Sequence, residues 1–334
     1  MGKSGTKKCG HYSGIGGQAV LEGIMMKNKE EYAVSVRRPD GVIETKRERY
    51  EGVWGGKKLV KLPFIRGVFN FIDSMVLGMR TLTWSAEFYE DEEAQETKTD
   101  EVLDRVTGGN AEKLLMGLTV AFSVVLAVGI FIALPFGISL LFQKFVQNAS
   151  LLAILEGLVR LAIFLVYVAA IAAMKDIRRV YQYHGAEHKC INCLEQGREL
   201  NVKNVMKSSR LHKRCGTSFL LFVVLISILL FMFIRVDNQL LRLGLRILLI
   251  PVVAGISYEV LRLAGRTDNI IINLISRPGL WLQRLTTREP DESMVEVAIA
   301  SVEAVFDWKA YLKEEFGYEA EEAADESLTE GSAL

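Results

Sequence analysis

Three of the chain's four histidines fall between positions 184 and 212. His184-Gly185-Ala186-Glu187-His188 reads H-x-x-E-H. On a helix, residues i and i+4 share a face, so both imidazoles can bind one metal ion. A glutamate beside such a pair can act as general base toward water, the inverted form of the zinc-protease motif. Glu187 is the catalytic candidate, and a divalent metal, zinc above all, is the expected cofactor. Three residues compete to be the third ligand. His212 and Cys215 precede the third apolar run, and Glu259 lies near the returning end of the fourth. A downstream carboxylate is the usual third ligand of inverted motifs, whereas pairing with Arg262 is the ordinary alternative for Glu259.

A second metal reading uses Cys190-x-x-Cys193 followed by His212-x-x-Cys215, with 18 residues between the pairs. That spacing is compatible with a closed four-ligand structural zinc site. The bland alternative is that the cysteines are reduced, partly buried thiols.

These residues must be positioned by what surrounds them, and the surroundings are strongly apolar. The chain has 334 residues, zero net charge and 24% charged residues, a balance that gives no reason to expect a nucleic-acid partner. A helix needs about 20 apolar residues to cross a bilayer. Leu114 to Phe142 holds no charged residue, with Pro135 and Gly137 offering a kink. Leu151 to Met174 is broken only by Glu156 and Arg160, which at i and i+4 can pair with each other. Thr217 to Ile234 is uncharged, and Leu240 to Leu263 is a weaker fourth run. No secretory signal precedes them. Lys and Arg crowd the segment between the second and third runs, from Lys175 to Arg214, while only Lys144 lies between the first and second. The positive-inside rule then places the basic loop and both termini in the cytoplasm. If the helix continues straight from the second span, the histidines lie roughly 15–20 Å beyond the bilayer core.

The expected fold is mainly α: a polytopic membrane protein of four spans, with a small N-terminal β-hairpin domain and a C-terminal amphipathic helix. Residues 1–60 form the small β-containing domain, with Tyr32–Arg37 and Val42–Arg49 as paired strands about the Pro39-Asp40-Gly41 turn. Gly14–Gly17 reads as a flexible start. Residues 61–113 hold an amphipathic helix from Leu62 to Trp84, suited to the membrane surface or to packing on the protein, and an acidic linker, Glu90–Asp104. Residues 114–174 and 217–263 each supply two spans, separated by the site-bearing loop 175–216. Residues 264–316 give an interfacial element, Asp268–Leu285, and a helix, Asp291–Phe316. Residues 317–334 are an acidic tail.

Three blocks carry a resemblance. Gly16–Met26 (GGQAVLEGIMM), Tyr183–Lys189 (YHGAEHK) and Arg214–Phe219 (RCGTSF) are similar to the bacterial YqhQ-like family, over a stretch from Gly14 to about Phe306. The resemblance implies a multi-pass protein of the bacterial cell membrane with a suspected metal site, in a family without an established function whose members are labelled predicted metal-dependent enzymes. Two functions are therefore expected to compete. One is a zinc-type hydrolase at the cytoplasmic face, acting on a peptide, a lipid headgroup or another molecule of the membrane surface. The other is a non-catalytic membrane scaffold or regulator that docks a membrane-protein partner.

Overall fold

The N-terminal strands send successive side chains to opposite faces, and this period of two builds the sheet. In the computed structural model, which describes residues 11–55, 62–89, 111–234, 236–266 and 269–318, four antiparallel strands follow one another in the order β1 (Gly16–Val20), β2 (Gly23–Asn28), β3 (Glu31–Arg37) and β4 (Ile43–Arg49). The expected hairpin is the β3–β4 half of this meander. The two earlier strands are hidden in the sequence because Gly16 and Gly17 look like loop residues. Gly17 is small for a packing reason: a Cβ there would stand 2.7 Å from the Met25 carbonyl oxygen and 3.0 Å from Cδ of Glu187.

Both faces of the sheet are covered. Ile24, Met26 and Ala33 point to one side and Met25, Tyr32, Val34 and Val36 to the other, as period-two geometry demands. Helix α1 (Ile65–Ala86) lies on the second face through Leu77. Its buried positions include the small residues Gly67, Gly78, Thr81 and Ser85, while Phe71, Ile72, Met75 and Val76 face outward. The helix thus packs on the protein by its small side and keeps its large apolar side exposed.

The next apolar run is one continuous helical rod, α2 (Ala111–Val128) and α3 (Leu134–Phe142) joined by a π-helical turn at Gly129–Ala133. The wider turn precedes Pro135, whose missing N–H and bulky ring disturb the ladder of an ordinary α-helix. Helix α4 (Ala149–Ala173) follows, capped by Asn148, whose side chain accepts from the amides of Ser150 and Leu151. The chain breaks at Met174 (φ −69°, ψ 136°) and restarts as α5 (Lys175–Glu195), so α5 does not extend α4 straight outward. The expected stand-off of the histidines from the span falls with that break.

After α6 (Val202–Lys207) come α7 (Gly216–Phe231), α8 (Gln239–Leu248), α9 (Ile250–Arg266), α10 (Ile270–Thr286), α11 (Glu292–Glu303) and α12 (Trp308–Phe316). Two helical rods, Leu114–Phe142 and Ser150–Ala173, are long and apolar enough to cross a membrane; α8 and α9 make a third only as one span bent by 41°, and α7 is a shorter apolar helix. Four full-length spans are therefore not what the helix lengths give. The expected C-terminal amphipathic helix is two helices. The first, α11, is part of a core rather than a surface: Met294, Val295, Val297, Ala298 and Val302 are buried, and Ser301 donates to the carbonyls of Ile24 and Ala33. The interfacial element proves to be α10, packed along α7 where Gly279 meets Ser218. The acidic linker Glu90–Asp104 and the tail from Glu319 lie outside the described residues.

Candidate metal centre

The site forms where α5, α7 and α10 meet the edge of the sheet. His184 and His188 sit one turn apart on α5 with ring centroids 4.4 Å apart. Cys215, the residue before the first turn of α7, brings its sulfur to 3.3 Å from His184 Nε2. One ligand atom from each of these three residues lies within 4.8 Å of the others. With metal–ligand bonds of about 2.0–2.3 Å, a single ion can bridge them after slight inward rotation.

The ring orientations are fixed from behind. His184 Nδ1–H donates to the Thr286 carbonyl at the end of α10, at 2.9 Å, and His188 Nδ1–H donates to the Arg210 carbonyl at 2.7 Å. A carbonyl can only accept, so each Nδ1 carries the proton and each Nε2 is left for the site. This backing of metal-ligating imidazoles by carbonyls is the usual outer arrangement of zinc centres. Close approach makes it possible. A Cβ on Gly185 would stand 2.0 Å from the Arg288 carbonyl oxygen, so only glycine lets the 286–290 segment press onto α5.

Electrostatics agree with the geometry. Burial pushes the Cys215 thiol up, but the two imidazoles beside it outweigh burial and bring it well below its ordinary range. Burial likewise opposes a charged His184, yet the Cys215 thiolate raises it to about 9. Thr217 Oγ1 lies 3.1 Å from the sulfur and accepts from Thr286 Oγ1 at 3.2 Å. Glu187 is 5% exposed. Burial raises its carboxyl above the usual range, against the pull of His184, His188 and the Gly17 amide. One of its oxygens, Oε2, is buried and has no hydrogen-bond partner among the described residues. Two nitrogens and a thiolate, with an unsatisfied carboxylate oxygen nearby, are a donor set that suits zinc and leaves a coordination position open.

The other predicted ligands lie elsewhere. Glu259 Oε1 accepts from Arg66 Nε at 2.6 Å and from the Phe64 amide at 3.3 Å, while Arg262 Nη1 stands 3.8 Å from Oε2. Its pairing with α1, more than with Arg262, occupies it. His212 stands 5.6 Å from His188, ring to ring, but turns its Nε2 to Glu195 at 3.4 Å. Its backbone is clamped by Gln283, which accepts from the His212 amide at 2.8 Å and donates to its carbonyl at 2.7 Å. Cys190 and Cys193 are core residues packed with Tyr183, Leu194 and Met294, so the four-ligand arrangement is not assembled. Arg210, Gln283 and Thr286 carry no signal in the sequence that marks them for the site, and Gly17 and Thr217 are marked only by the blocks that carry the resemblance. Several act through backbone groups, which leave no side-chain signature.

The three sequence blocks converge here. Beyond Gly17, the first block brings Glu22, which pairs with Arg179 and accepts from Tyr183 Oη at 3.1 Å. The third brings Arg214, paired with Glu195, and Ser218, which accepts from Gln283 at 2.8 Å.

Comparison with known proteins agrees with the resemblance. A family model described as "Protein of unknown function (DUF1385)" matches residues 62–308. A protein of Bacillus subtilis (strain 168), described as "Uncharacterized protein YqhQ", is 38% identical over 288 residues, covering 86% of this chain and 90% of that protein. No solved structure matches the chain. With the family model spanning α1 to the start of α12, and a relative aligned over most of both lengths, the chain belongs to the DUF1385, YqhQ-like family of bacterial proteins.

Proposed function

We propose that this chain is a membrane-bound, metal-dependent hydrolase of the zinc type, with its site at the cytoplasmic face. The observation that carries the reading is the convergence of His184, His188 and Cys215 beside a buried carboxylate oxygen, Glu187 Oε2, that has no partner among the described residues. A bound divalent ion would supply Lewis acidity and an open coordination position. The chain's own residues supply the rest. The Thr286 and Arg210 carbonyls hold both imidazoles in the ligating tautomer. Glu187, raised by burial, is suited to take a proton at Oε2 and return it to a leaving group.

The membrane placement belongs to the same proposal. Phe122, Val125, Leu141 and Val166 are all exposed on α2, α3 and α4, an outward apolar surface that lipid would cover. The rod α2–α3, helix α4, helix α7 and the bent pair α8–α9 would make four crossings. The last residues of the third uncharged run, Met232–Ile234, would extend the short α7. The basic 175–214 segment then faces the cytoplasm, as do both termini.

A second reading has its own support. The donors sit in a seam that joins α5, α7 and α10 beside the sheet, so a metal there would fasten the sheet domain onto the helices. This is the scaffold or regulator, docking a membrane-protein partner without catalysis. Metal analysis of the full-length protein, with Glu187→Gln and His184→Ala, separates the two. The hydrolase reading expects Glu187→Gln to keep the metal and lose the protein's cellular effect, while His184→Ala loses both. Full function in a metal-loaded Glu187→Gln protein would leave only the scaffold.

A further inference from the structure

The apolar half of the molecule buries a group of charges that the metal centre does not use. Glu156 and Arg160 on α4 are each 3% exposed and pair at 2.9 Å. The pair does not close on itself. Arg246 of α8, 2% exposed, donates to the same carboxylate oxygen, and Ser139 Oγ donates to the other at 3.3 Å. Arg160 spends its remaining donors on Ser227 Oγ at 3.1 Å and on the Phe131 carbonyl, within the π-helical turn, at 2.8 Å. Arg246 is not so well served. Its Nε–H is buried and finds no acceptor among the described residues. Arg242, one turn earlier on α8, repeats the pattern: its Nε–H is also buried and without an acceptor among them. The two guanidiniums lie 5.1 and 5.0 Å from the centre of the Phe136 ring. Two cations therefore share a single carboxylate, and a third, Arg242, stands over the same Phe136 ring as Arg246, among apolar helices where an uncompensated charge is costly.

We propose that Arg242 and Arg246 form a binding site for an oxyanion of the phosphate class, seated beside Phe136 on the face of α8 that carries the two guanidiniums. Guanidinium forks match phosphate oxygens in geometry and in charge. Such an anion supplies the missing counter-charge and gives the two Nε–H groups their acceptor. Leu241 and Leu248, exposed on the same helix, put lipid-facing side chains next to the site. The phosphate can accordingly arrive as a phospholipid headgroup or as a free ion. The inference uses none of the metal-site residues.

The test measures the thermal unfolding midpoint of the full-length protein in detergent, titrated with phosphatidylglycerol, with inorganic phosphate, or with diacylglycerol, which has the tails without the phosphate. Phosphatidylglycerol is expected to raise the midpoint and diacylglycerol is not. A rise with phosphatidylglycerol alone assigns the lipid source, and a rise with inorganic phosphate as well assigns the free anion. Arg246→Gln removes a partner of Glu156 and can unfold the bundle, so the deciding variant is Arg242→Gln, which leaves the Glu156 pairs intact. It should need roughly tenfold more ligand for the same shift, the effect of losing one charged hydrogen-bonding group. No shift with either phosphate, an equal shift with diacylglycerol, or an unchanged titration in Arg242→Gln would overturn the proposal.

Discussion

The Nε2 atom of His184 stands 3.3 Å from the sulfur of Cys215, a contact between residues 31 positions apart. One lies in the middle of α5 and the other at the start of α7. Their mutual effect is to stabilise an imidazolium beside a thiolate: Cys215 falls below its usual range and His184 rises to about 9. A divalent ion would take the place of the shared proton.

Cys215→Ser therefore tests the third ligand directly. The affinity loss should exceed the roughly 10–100-fold that loss of an outer-shell partner costs. In protein loaded with cobalt(II), the thiolate-to-metal absorption should disappear in this variant and persist in Cys190→Ser and Cys193→Ser. An unchanged spectrum in Cys215→Ser would remove the residue from the ligand set.

Glu259→Gln should behave in the opposite way. Glu259 is engaged by Arg66 and the Phe64 amide, so metal content should stay at the wild-type level. Stability should drop by about 1–3 kcal/mol as the charged hydrogen bonds weaken, read as a lower unfolding midpoint. Loss of metal without loss of stability would restore Glu259 as a ligand.

These two cases show what the sequence makes legible. His184 and His188 are readable because a helix converts spacing into a shared face. In the sequence Glu259 has the stronger claim as a downstream carboxylate and Cys215 is its rival, since both lie where an apolar run meets the site-bearing side. The choice between them depends on which helix packs beside α5. That is a tertiary fact: α10 lies along α7, while α9 is drawn to α1 where Gly67 meets Tyr258. The apolar runs are equally plain in their composition, but not the π-helical turn, the break at Met174 or the bend between α8 and α9. Half of the sheet is hidden because Gly17 is a strand residue that leaves room for Glu187, and glycine alone reads as a loop. Glu156 and Arg160 are visible as a pair; Arg246 lies 90 positions from Glu156 and joins it only through folding.

Gly185→Ala tests the close approach that positions His184. The added methyl would meet the Arg288 carbonyl oxygen at 2.0 Å, and that backbone must move away. The movement carries the Thr286 carbonyl off His184 Nδ1. The expected result is a destabilisation of about 1–3 kcal/mol from overpacking, together with metal affinity weakened by roughly 10–100-fold. Gly216→Ala is the control, because a Cβ there meets nothing within 4 Å. Equal behaviour of the two variants would mean that the segment holds the ring by some other contact.

Acid stability should report on Glu195. Burial raises this carboxyl, but His212 and Arg214 outweigh burial and hold it at about 2, against 4.5 when unperturbed. A carboxylate depressed in the folded state adds stability above its unfolded value, and that stability is lost as pH falls through the window from about 4.5 toward 2. The contribution is at most about 3 kcal/mol, because each pH unit separating the folded from the unfolded value is worth about 1.36 kcal/mol. Burial also lowers His212, so its protonation destabilises the fold at higher pH, below about 6.5. In Glu195→Gln the fall between about 4.5 and 2 should flatten. A wild-type slope in that window would show that the Glu195 cluster is not what acid breaks.

Topology is the broadest prediction, because the placement of the site relative to the bilayer depends on it. Between α4 and α7 the chain carries Lys175, Arg178, Arg179 and further basic residues through Arg214, whereas between α3 and α4 it carries only Lys144. Loops that short obey the positive-inside rule. Lys189 and Arg210 remain part of that excess even though both are drawn to Glu289 in the folded protein, at 3.0 and 3.1 Å, because Lys and Arg set orientation largely irrespective of acidic residues. A reporter fused after Lys203 should accordingly read cytoplasmic, and one placed at Asn148 should read external. A cytoplasmic signal at Asn148 would mean that α2–α3 and α4 do not each cross the bilayer. It would leave the His184–His188–Cys215 cluster intact, but the cluster would have to be explained without a membrane on one side.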